Sequence, residues 1–137
     1  MGGFAPTSST IFFGKYADSP VTIGNFIVAD LFACKPCELY FDEQAALKED
    51  YDYTLQHLQR YGGVVRFNQI SPGFEHRKNA GGAVSYRTTE KEAAAVKYVL
   101  GKWPDYLKLN PKRANQIILT WKTPQQQLLG RSVGQVS

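Results

Sequence analysis

The sequence predicts an α+β domain of the ferredoxin-like class, a split β–α–β arrangement with the order β–α–β–β–α–β. Three observations predict it. A helical apolar stripe lies between two β-rich stretches, a capping box opens a second helical segment, and a strand-like run follows that segment. An extra strand is expected before this set. We therefore expect an N-terminal arm over residues 1–9, one α+β domain over residues 10–122 and an extended C-terminal tail over residues 123–137.

Composition indicates a globular protein. The chain has 137 residues, of which 43% are hydrophobic and 13% aromatic, so it can bury a core and is unlike a disordered chain. No apolar run reaches the ~20 residues of a membrane span, and the N-terminus lacks the basic and apolar regions of a secretory signal. The expected location is the cytoplasm or a virus particle, and secretion is not expected.

Charge is unevenly distributed along the chain. Residues 1–52 carry three lysines against eight acids, whereas residues 53–137 carry thirteen cations against four acids, within a net charge of +4. This asymmetry favours either a basic face for polyanions or complementary ends that attract neighbouring copies. Mixing of the two halves in the fold, without any patch, is the other interpretation.

The first two strands are predicted before the helix. Residues 10–16 (TIFFGKY) are expected to form a short strand that ends before Pro20. Residues 21–33 are apolar or β-branched on both sides of the alternation, which is typical of a strand covered on both faces.

The first long helix has clear start and stop signals. Asp42 is a good N-cap, and Gly62 suits the left-handed residue that ends a helix. Residues 64–70 are expected as the following strand, which completes a β–α–β unit over residues 25–70. The stripe that faces the core consists of Leu47, Tyr51, Leu55 and Leu58.

The second half is predicted to repeat this order. Residues 71–82 form a loop rich in glycine, and residues 83–88 form a strand. Thr89 and Glu92 have the spacing of a capping box, and Pro104 marks the end of the helix that it opens. The apolar face of this helix consists of Val96, Val99, Leu100 and Trp103. After a basic turn, residues 116–122 (QIILTWK) are the last expected strand.

The local pattern with the clearest chemistry is Cys34-Lys35-Pro36-Cys37. Together with the preceding residues 29–33 (ADLFA), it resembles the Cys-x-x-Cys strand end of the thioredoxin family. The resemblance implies thiol–disulfide exchange, with Cys34 as the attacking thiolate and Cys37 as the resolving thiol. Two alternatives stay open: a pair of small buried thiols, or half of a zinc site with His57 and His76 as the remaining ligands.

The motif also differs from that family in three ways. The family's aromatic residue before the first cysteine is absent, and Asp42 places the helix start after the motif. The family has a proline opening the strand beside the motif, whereas Pro72 leads into a loop and Pro124 leaves too little chain for further elements.

Two other resemblances concern nucleic acid. His57-Leu58-Gln59, with Tyr98 and Lys102, is similar to the metal-binding His-x-Gln and nucleophilic tyrosine motifs of rolling-circle replication initiators. An exposed helical histidine is the alternative interpretation, since the family carries its histidine on a strand.

A basic set of residues could contact phosphates. Phe67, Tyr86 and Trp121 could stack bases as on RNA-recognition sheets, although strand aromatics also build cores. The candidate phosphate-binding residues are Arg77, Lys78, Lys112, Arg113, Lys122 and Arg131.

The leading hypothesis is a non-catalytic structural or connector subunit of a larger assembly, for instance a virus or phage particle. Charge-complementary faces, sheet edges and terminal arms would bind copies of itself or other subunits. No Ser-His-Asp set, paired carboxylates or metal-ligand cluster is recognisable, so no cofactor or metal is expected. The alternatives are a thiol–disulfide oxidoreductase that uses Cys34 and Cys37, and a single-stranded nucleic-acid-binding protein that uses the basic part.

Overall fold

A four-stranded mixed sheet forms one layer of the computed structural model, which describes residues 1–73 and 86–122. Its strands lie in the order β2-β4-β1-β3. β1 pairs in parallel with β4 and antiparallel with β3, while β2 pairs antiparallel with β4. The strands are β1 (Gly2–Phe4), β2 (Val21–Ile23), β3 (Phe32–Ala33) and β4 (Val65–Phe67).

Helices and a small second sheet complete the described part. An antiparallel pair forms the second sheet, from β5 (Leu107–Leu109) and β6 (Ile117–Leu119). The helices are α1 (Thr10–Lys15), a 3-10 helix (Glu43–Lys48), α2 (Glu49–Tyr61) and α3 (Thr89–Lys102).

The predicted α+β class is confirmed, but the ferredoxin-like order is not. β3 and β4 lie on opposite sides of β1 and run antiparallel to each other, so α2 does not connect paired parallel strands as a β–α–β unit requires. The described strands of the second half, β5 and β6, pair only with each other. Half of the predicted strand over residues 83–88 lies outside the described residues, and residues 86–88 form a turn and the N-cap of α3 instead of a strand.

The segment expected to be an N-terminal arm contributes β1, an inner strand of the sheet. Gly3 explains why: a Cβ there would collide with the side chain of Ile27, which has no exposed surface. The missing side chain lets Ile27 pack directly on the strand. Because this contact joins distant residues, Gly2-Gly3 gave no local sign of it in the sequence. The tail predicted over residues 123–137 lies outside the described residues.

Residues 10–16, expected to be a strand, form α1 instead. Phe12 and Tyr16 are four positions apart, share one face of the helix, and have ring centroids 4.8 Å apart. Both rings cover the guanidinium of Arg66 on β4, at 5.3 and 5.1 Å. This long-range contact stabilises α1 as a helix. Local helix and strand propensities do not predict it.

The single strand predicted over residues 21–33 is also wrong. Only Val21–Ile23 and Phe32–Ala33 are strands, since Gly24 has a positive φ of 93° and turns the chain out of the sheet. β2 is not covered on both faces, because Val21 and Ile23 are exposed.

The cap signals of the first long helix are confirmed with one refinement. The Asp42 carboxylate accepts the Gln44 N–H at 2.9 Å, so it caps the 3-10 helix, and α2 begins later at Glu49. Gly62 has a φ of 75° and its N–H donates to the Leu58 carbonyl at 2.8 Å.

α3 begins one residue earlier than its capping box predicted. Thr88, not Thr89, is the N-cap, and its hydroxyl accepts the Lys91 N–H at 3.2 Å. The helix ends at Lys102, before Pro104, as expected. The core lies between α2, α3 and the two sheets, and includes Ile27, Leu55, Leu58, Val64, Val96, Val99, Trp103, Leu107 and Ile117.

Candidate functional site

The two cysteines lie in the loop between β3 and the 3-10 helix. Cys34 is exposed, Cys37 is half-buried, and both are free thiols. Since neither lies at a helix N-terminus, the helix contributes no dipole that would favour a thiolate, unlike the thioredoxin-family arrangement.

The hydroxyl of Tyr53 on α2 interacts with both cysteines. The Cys34 sulfur lies 3.6 Å from the Tyr53 hydroxyl. Burial raises the pKa of the Tyr53 hydroxyl, and contacts first with Cys34 and then with Cys37 raise it further. The hydroxyl therefore stays protonated and lies within reach of both thiols.

His57 on α2 completes the cluster beside Cys37. Its Nδ1 lies 2.9 Å from the Tyr53 carbonyl oxygen, and its Nε2 lies 3.9 Å from the Cys37 sulfur. Because a carbonyl can only accept, Nδ1 carries the proton, and Nε2 of the neutral ring is free to accept from the Cys37 thiol. Burial lowers the pKa of the His57 imidazole, which keeps the ring neutral.

A pocket of about 310 Å³ opens on this pair. Its walls are Met1, Lys35, Pro36, Cys37, His57 and Tyr61. The arrangement places a thiol, a base oriented by a backbone carbonyl, and a neighbouring cation around one cavity. Such a set can support nucleophilic or redox chemistry of the thiol. The sequence analysis placed His57 near the cysteines only as a zinc ligand, and it did not predict the pairing of His57 with Cys37 as base and thiol, since the two are twenty residues apart in the chain.

A zinc site does not form among the described side chains. In residues 1–73 and 86–122, no three His, Cys, Asp or Glu side chains are arranged to hold a metal ion. His76, the fourth ligand considered, lies outside these residues.

The rolling-circle-like residues have separate partners. Tyr98 donates to the Asp42 carboxylate at 2.8 Å, and Lys102 binds the same carboxylate at 2.6 Å. His57 instead contacts Tyr53 and Cys37. These contacts assign the side chains to a helix cap and to the thiol cluster, not to one metal-dependent site.

The nucleic-acid candidates are only partly described. Lys112 and Arg113 are exposed in the β5–β6 loop and Lys122 is exposed after β6, whereas Arg77, Lys78 and Arg131 lie outside the described residues. The three aromatics considered for base stacking do not share a sheet: Phe67 belongs to β4, Trp121 follows β6, and Tyr86 precedes α3. Nucleic-acid binding by the basic set stays a prediction.

The sheet has one apolar face that is open to solvent, a feature that sequence reasoning missed. Cα pairing aligns Val21 with Phe67 and Phe67 with Phe4, and it aligns Ile23 with Val65. Paired residues share a face, so these five side chains form what we call the open sheet face. Val21, Ile23, Val65 and Phe67 are 48, 59, 38 and 41% exposed. The outward alternation in Val21–Ile23 and Val65–Phe67 was the available signal.

No protein-family model, curated protein or solved structure matches the chain. Within the described parts of the chain, no helix combines the length and the apolar character needed to cross a membrane.

Proposed function

We propose that this protein is a non-catalytic structural subunit that associates with copies of itself through the open sheet face. The observation that carries the proposal is the exposure of four β-branched or aromatic side chains on adjacent strands. Together they present on the order of a few hundred Å² of apolar surface, the size of the largest patch on a typical monomer, which is often functional.

A second copy fits this face better than a charged partner does. The residues that point outward from the four paired strands are Gly2, Phe4, Val21, Ile23, Ala33, Val65 and Phe67, and none carries a charge. Two such faces related by a twofold axis bury apolar surface against each other without like-charge repulsion. Sheet-on-sheet packing of this kind is common in protein cores.

The size of the open sheet face limits the expected affinity between two copies. Two copies bury less here than the roughly 1,200–2,000 Å² of a stable interface. The edge strands β2 and β3 are the remaining sites where neighbours can add contacts. We therefore expect association in the micromolar range, or growth to higher multimers through the edges.

The test is the native mass measured by sedimentation or light scattering across a hundredfold concentration range. Ile23→Lys is expected to shift the chain towards monomer, because it places a charge within the apolar contact on the edge strand β2. Leu109→Lys is the matched control, since Leu109 is 57% exposed against 59% for Ile23 but lies on β5. A wild-type monomer at every concentration, or an equal effect of both variants, would overturn the proposal.

The second candidate function is thiol–disulfide exchange, which the positions of Cys34 and Cys37 favour. The exposed Cys34 thiolate would attack a substrate disulfide, forming a mixed disulfide and releasing one substrate thiolate. Cys37, losing its proton to His57, would then attack Cys34 and release the second substrate thiol, leaving a Cys34–Cys37 disulfide.

A mixed-disulfide trap tests this candidate. With an oxidised dithiol peptide as substrate, Cys37→Ser should accumulate the mixed disulfide, and Cys34→Ser should not react. Wild-type protein should end as an internal disulfide with one equivalent of reduced peptide. No adduct on Cys37→Ser after prolonged incubation would remove the candidate.

A further inference from the structure

Arg66 is a buried cation without a buried counter-charge in the part of the chain that the structure describes. Arg66 lies on β4 and is only 4% exposed. Nε donates to the Asn68 side-chain oxygen at 2.7 Å and Nη1 donates to the Phe26 carbonyl at 3.1 Å, both neutral acceptors. Within residues 1–73 and 86–122, no carboxylate forms an ion pair with it. Burying a charge in this way is costly unless a compensating group is supplied.

Its remaining nitrogen is also unused. Nη2 of Arg66 is buried and has no hydrogen-bond partner. The faces of the Phe12 and Tyr16 rings cover the guanidinium, and the neutral Tyr16 hydroxyl also interacts with it. Nη2 nevertheless has no oxygen among the described residues as a hydrogen-bond partner.

A second donor without a partner belongs to another residue that lines the same pocket. The indole Nε1 of Trp121, which follows β6, is likewise buried without a partner. Arg66 and Trp121 both line one pocket of about 290 Å³. Of the three buried side-chain polar atoms without a partner in the described part, two therefore belong to residues that line this pocket, and both atoms are donors.

The other walls limit what the pocket can hold. Phe26 and Tyr51 stack with ring centroids 4.1 Å apart, and the Tyr51 hydroxyl is already occupied by the Ile117 carbonyl at 3.1 Å. None of the lining residues in the described part of the chain is acidic. It thus combines unsatisfied cationic and neutral donors with aromatic walls, in a volume at the small end of ligand pockets.

We propose that this pocket binds a small organic oxyanion, a carboxylate or phosphate group on a compact apolar or aromatic body. The oxyanion accepts from Arg66 Nη2 and Trp121 Nε1, and the body packs against Phe26 and Tyr51. The ligand supplies the negative charge that Arg66 does not find among the described side chains, since a planar guanidinium is well suited to carboxylate and phosphate oxygens. This site is independent of the open sheet face and of the cysteines.

The experiment follows the indole N–H signals of uniformly ¹⁵N-labelled protein by NMR. The chain has two tryptophans, and the Trp103 indole already donates to Asp52 at 2.7 Å, so its signal serves as an internal reference. Titration with benzoate or phenyl phosphate should move the Trp121 signal in a saturable way and leave the Trp103 signal in place. Trp121→Phe assigns the two peaks.

Two further probes separate the sources of affinity. Benzyl alcohol has the same aromatic body without charge and should bind at least about tenfold more weakly, the loss expected from removing a charge-assisted hydrogen bond. Inorganic phosphate tests the anion alone, and the ratio between benzoate and phenyl phosphate shows which oxyanion the site prefers. Equal binding of benzyl alcohol, or equal movement of both indole signals, would overturn the proposal.

Variants of the two donors complete the test. Arg66→Gln should lower benzoate affinity by at least about tenfold, measured by calorimetry. Because Arg66 also holds Asn68 and Phe26, Trp121→Phe serves as the second variant: it removes one donor, keeps an aromatic ring and leaves Arg66 in place. Unchanged affinity in Trp121→Phe, with a native spectrum, would contradict the role of the indole.

Discussion

The indole N–H of Trp103 donates to the Asp52 carboxylate at 2.7 Å and joins the end of α3 to the first half of α2. Asp52 has no exposed surface. Its oxygens also accept from Gln56 at 2.6 Å and pair with the Lys102 ammonium at 2.8 Å. Three donors thus compensate one buried charge, and the network fixes the two long helices against each other.

Replacing Asp52 should therefore be strongly destabilising. Asp52→Ala leaves the Trp103 N–H unsatisfied and the Lys102 ammonium without its buried partner, and we expect it to lower the free energy of unfolding by about 3 kcal/mol. Urea denaturation measures this. Asp105→Ala removes an exposed carboxylate just beyond α3 and should change stability by less than about 0.5 kcal/mol. Similar losses in both variants would show that the network is not what stabilises the helix pair.

Adjacent glycines in β1 allow a sharper test of the inner strand. A Cβ on Gly3 would collide with Ile27, whereas a Cβ on Gly2 would meet only the Val65 carbonyl oxygen at an ordinary 3.7 Å. We expect Gly3→Ala to destabilise the protein by about 1–3 kcal/mol, the cost of overpacking a core. Gly2→Ala should be nearly neutral, and it controls for the shared effect on the unfolded chain. Equal melting temperatures for the two variants would mean that residues 2–4 do not pair inside the sheet.

Features carried by neighbouring residues could be predicted from the sequence. Asp42 and Gly62 were identified as caps because a side-chain oxygen near free N–H groups and a left-handed glycine act within one turn. The core positions Leu55, Leu58 and Val99 likewise follow from helical spacing.

Features that depend on distant residues could not be predicted. β1 is an inner strand because Gly3 meets Ile27, and α1 is helical where Phe12 and Tyr16 cover Arg66. The same holds for the candidate sites, since Cys37 meets His57 only after the loop folds back on α2. Tertiary contact overrides local propensity at these places.

Stability should fall as the pH rises because of Asp50. Burial raises the pKa of the Asp50 carboxyl to about 7 from its ordinary value of 3.8, and the neighbouring Glu49 charge adds to the effect. Between these two values the folded state binds more protons than the unfolded state, so this group's contribution is complete below about pH 4 and is lost as the pH rises through about 7. Asp50→Asn should remove this decline and be more stable than wild type at pH 8.

The quantity to compare is the difference in free energy of unfolding between wild type and Asp50→Asn, measured by urea denaturation from pH 5 to pH 8. His57 has a lowered pKa, so it contributes stability that rises with pH and partly offsets the Asp50 effect in both proteins. Asp105→Asn is the control, because it removes an exposed carboxylate and should keep the wild-type decline. Parallel stability curves for wild type and Asp50→Asn would contradict the assignment.

The last prediction concerns the unequal access of the two thiols. Cys34 is exposed, whereas Cys37 is half-buried against His57, so the Cys34 thiol should react with iodoacetamide at least several-fold faster in the folded protein. Mass spectrometry of Cys37→Ser and Cys34→Ser, each with one remaining thiol, measures the two rates separately. In urea the rates should converge, which shows that the fold causes the difference. A faster Cys37 would reverse the assignment of the attacking thiol, because it would mean that the contact with His57 activates this sulfur more than burial protects it.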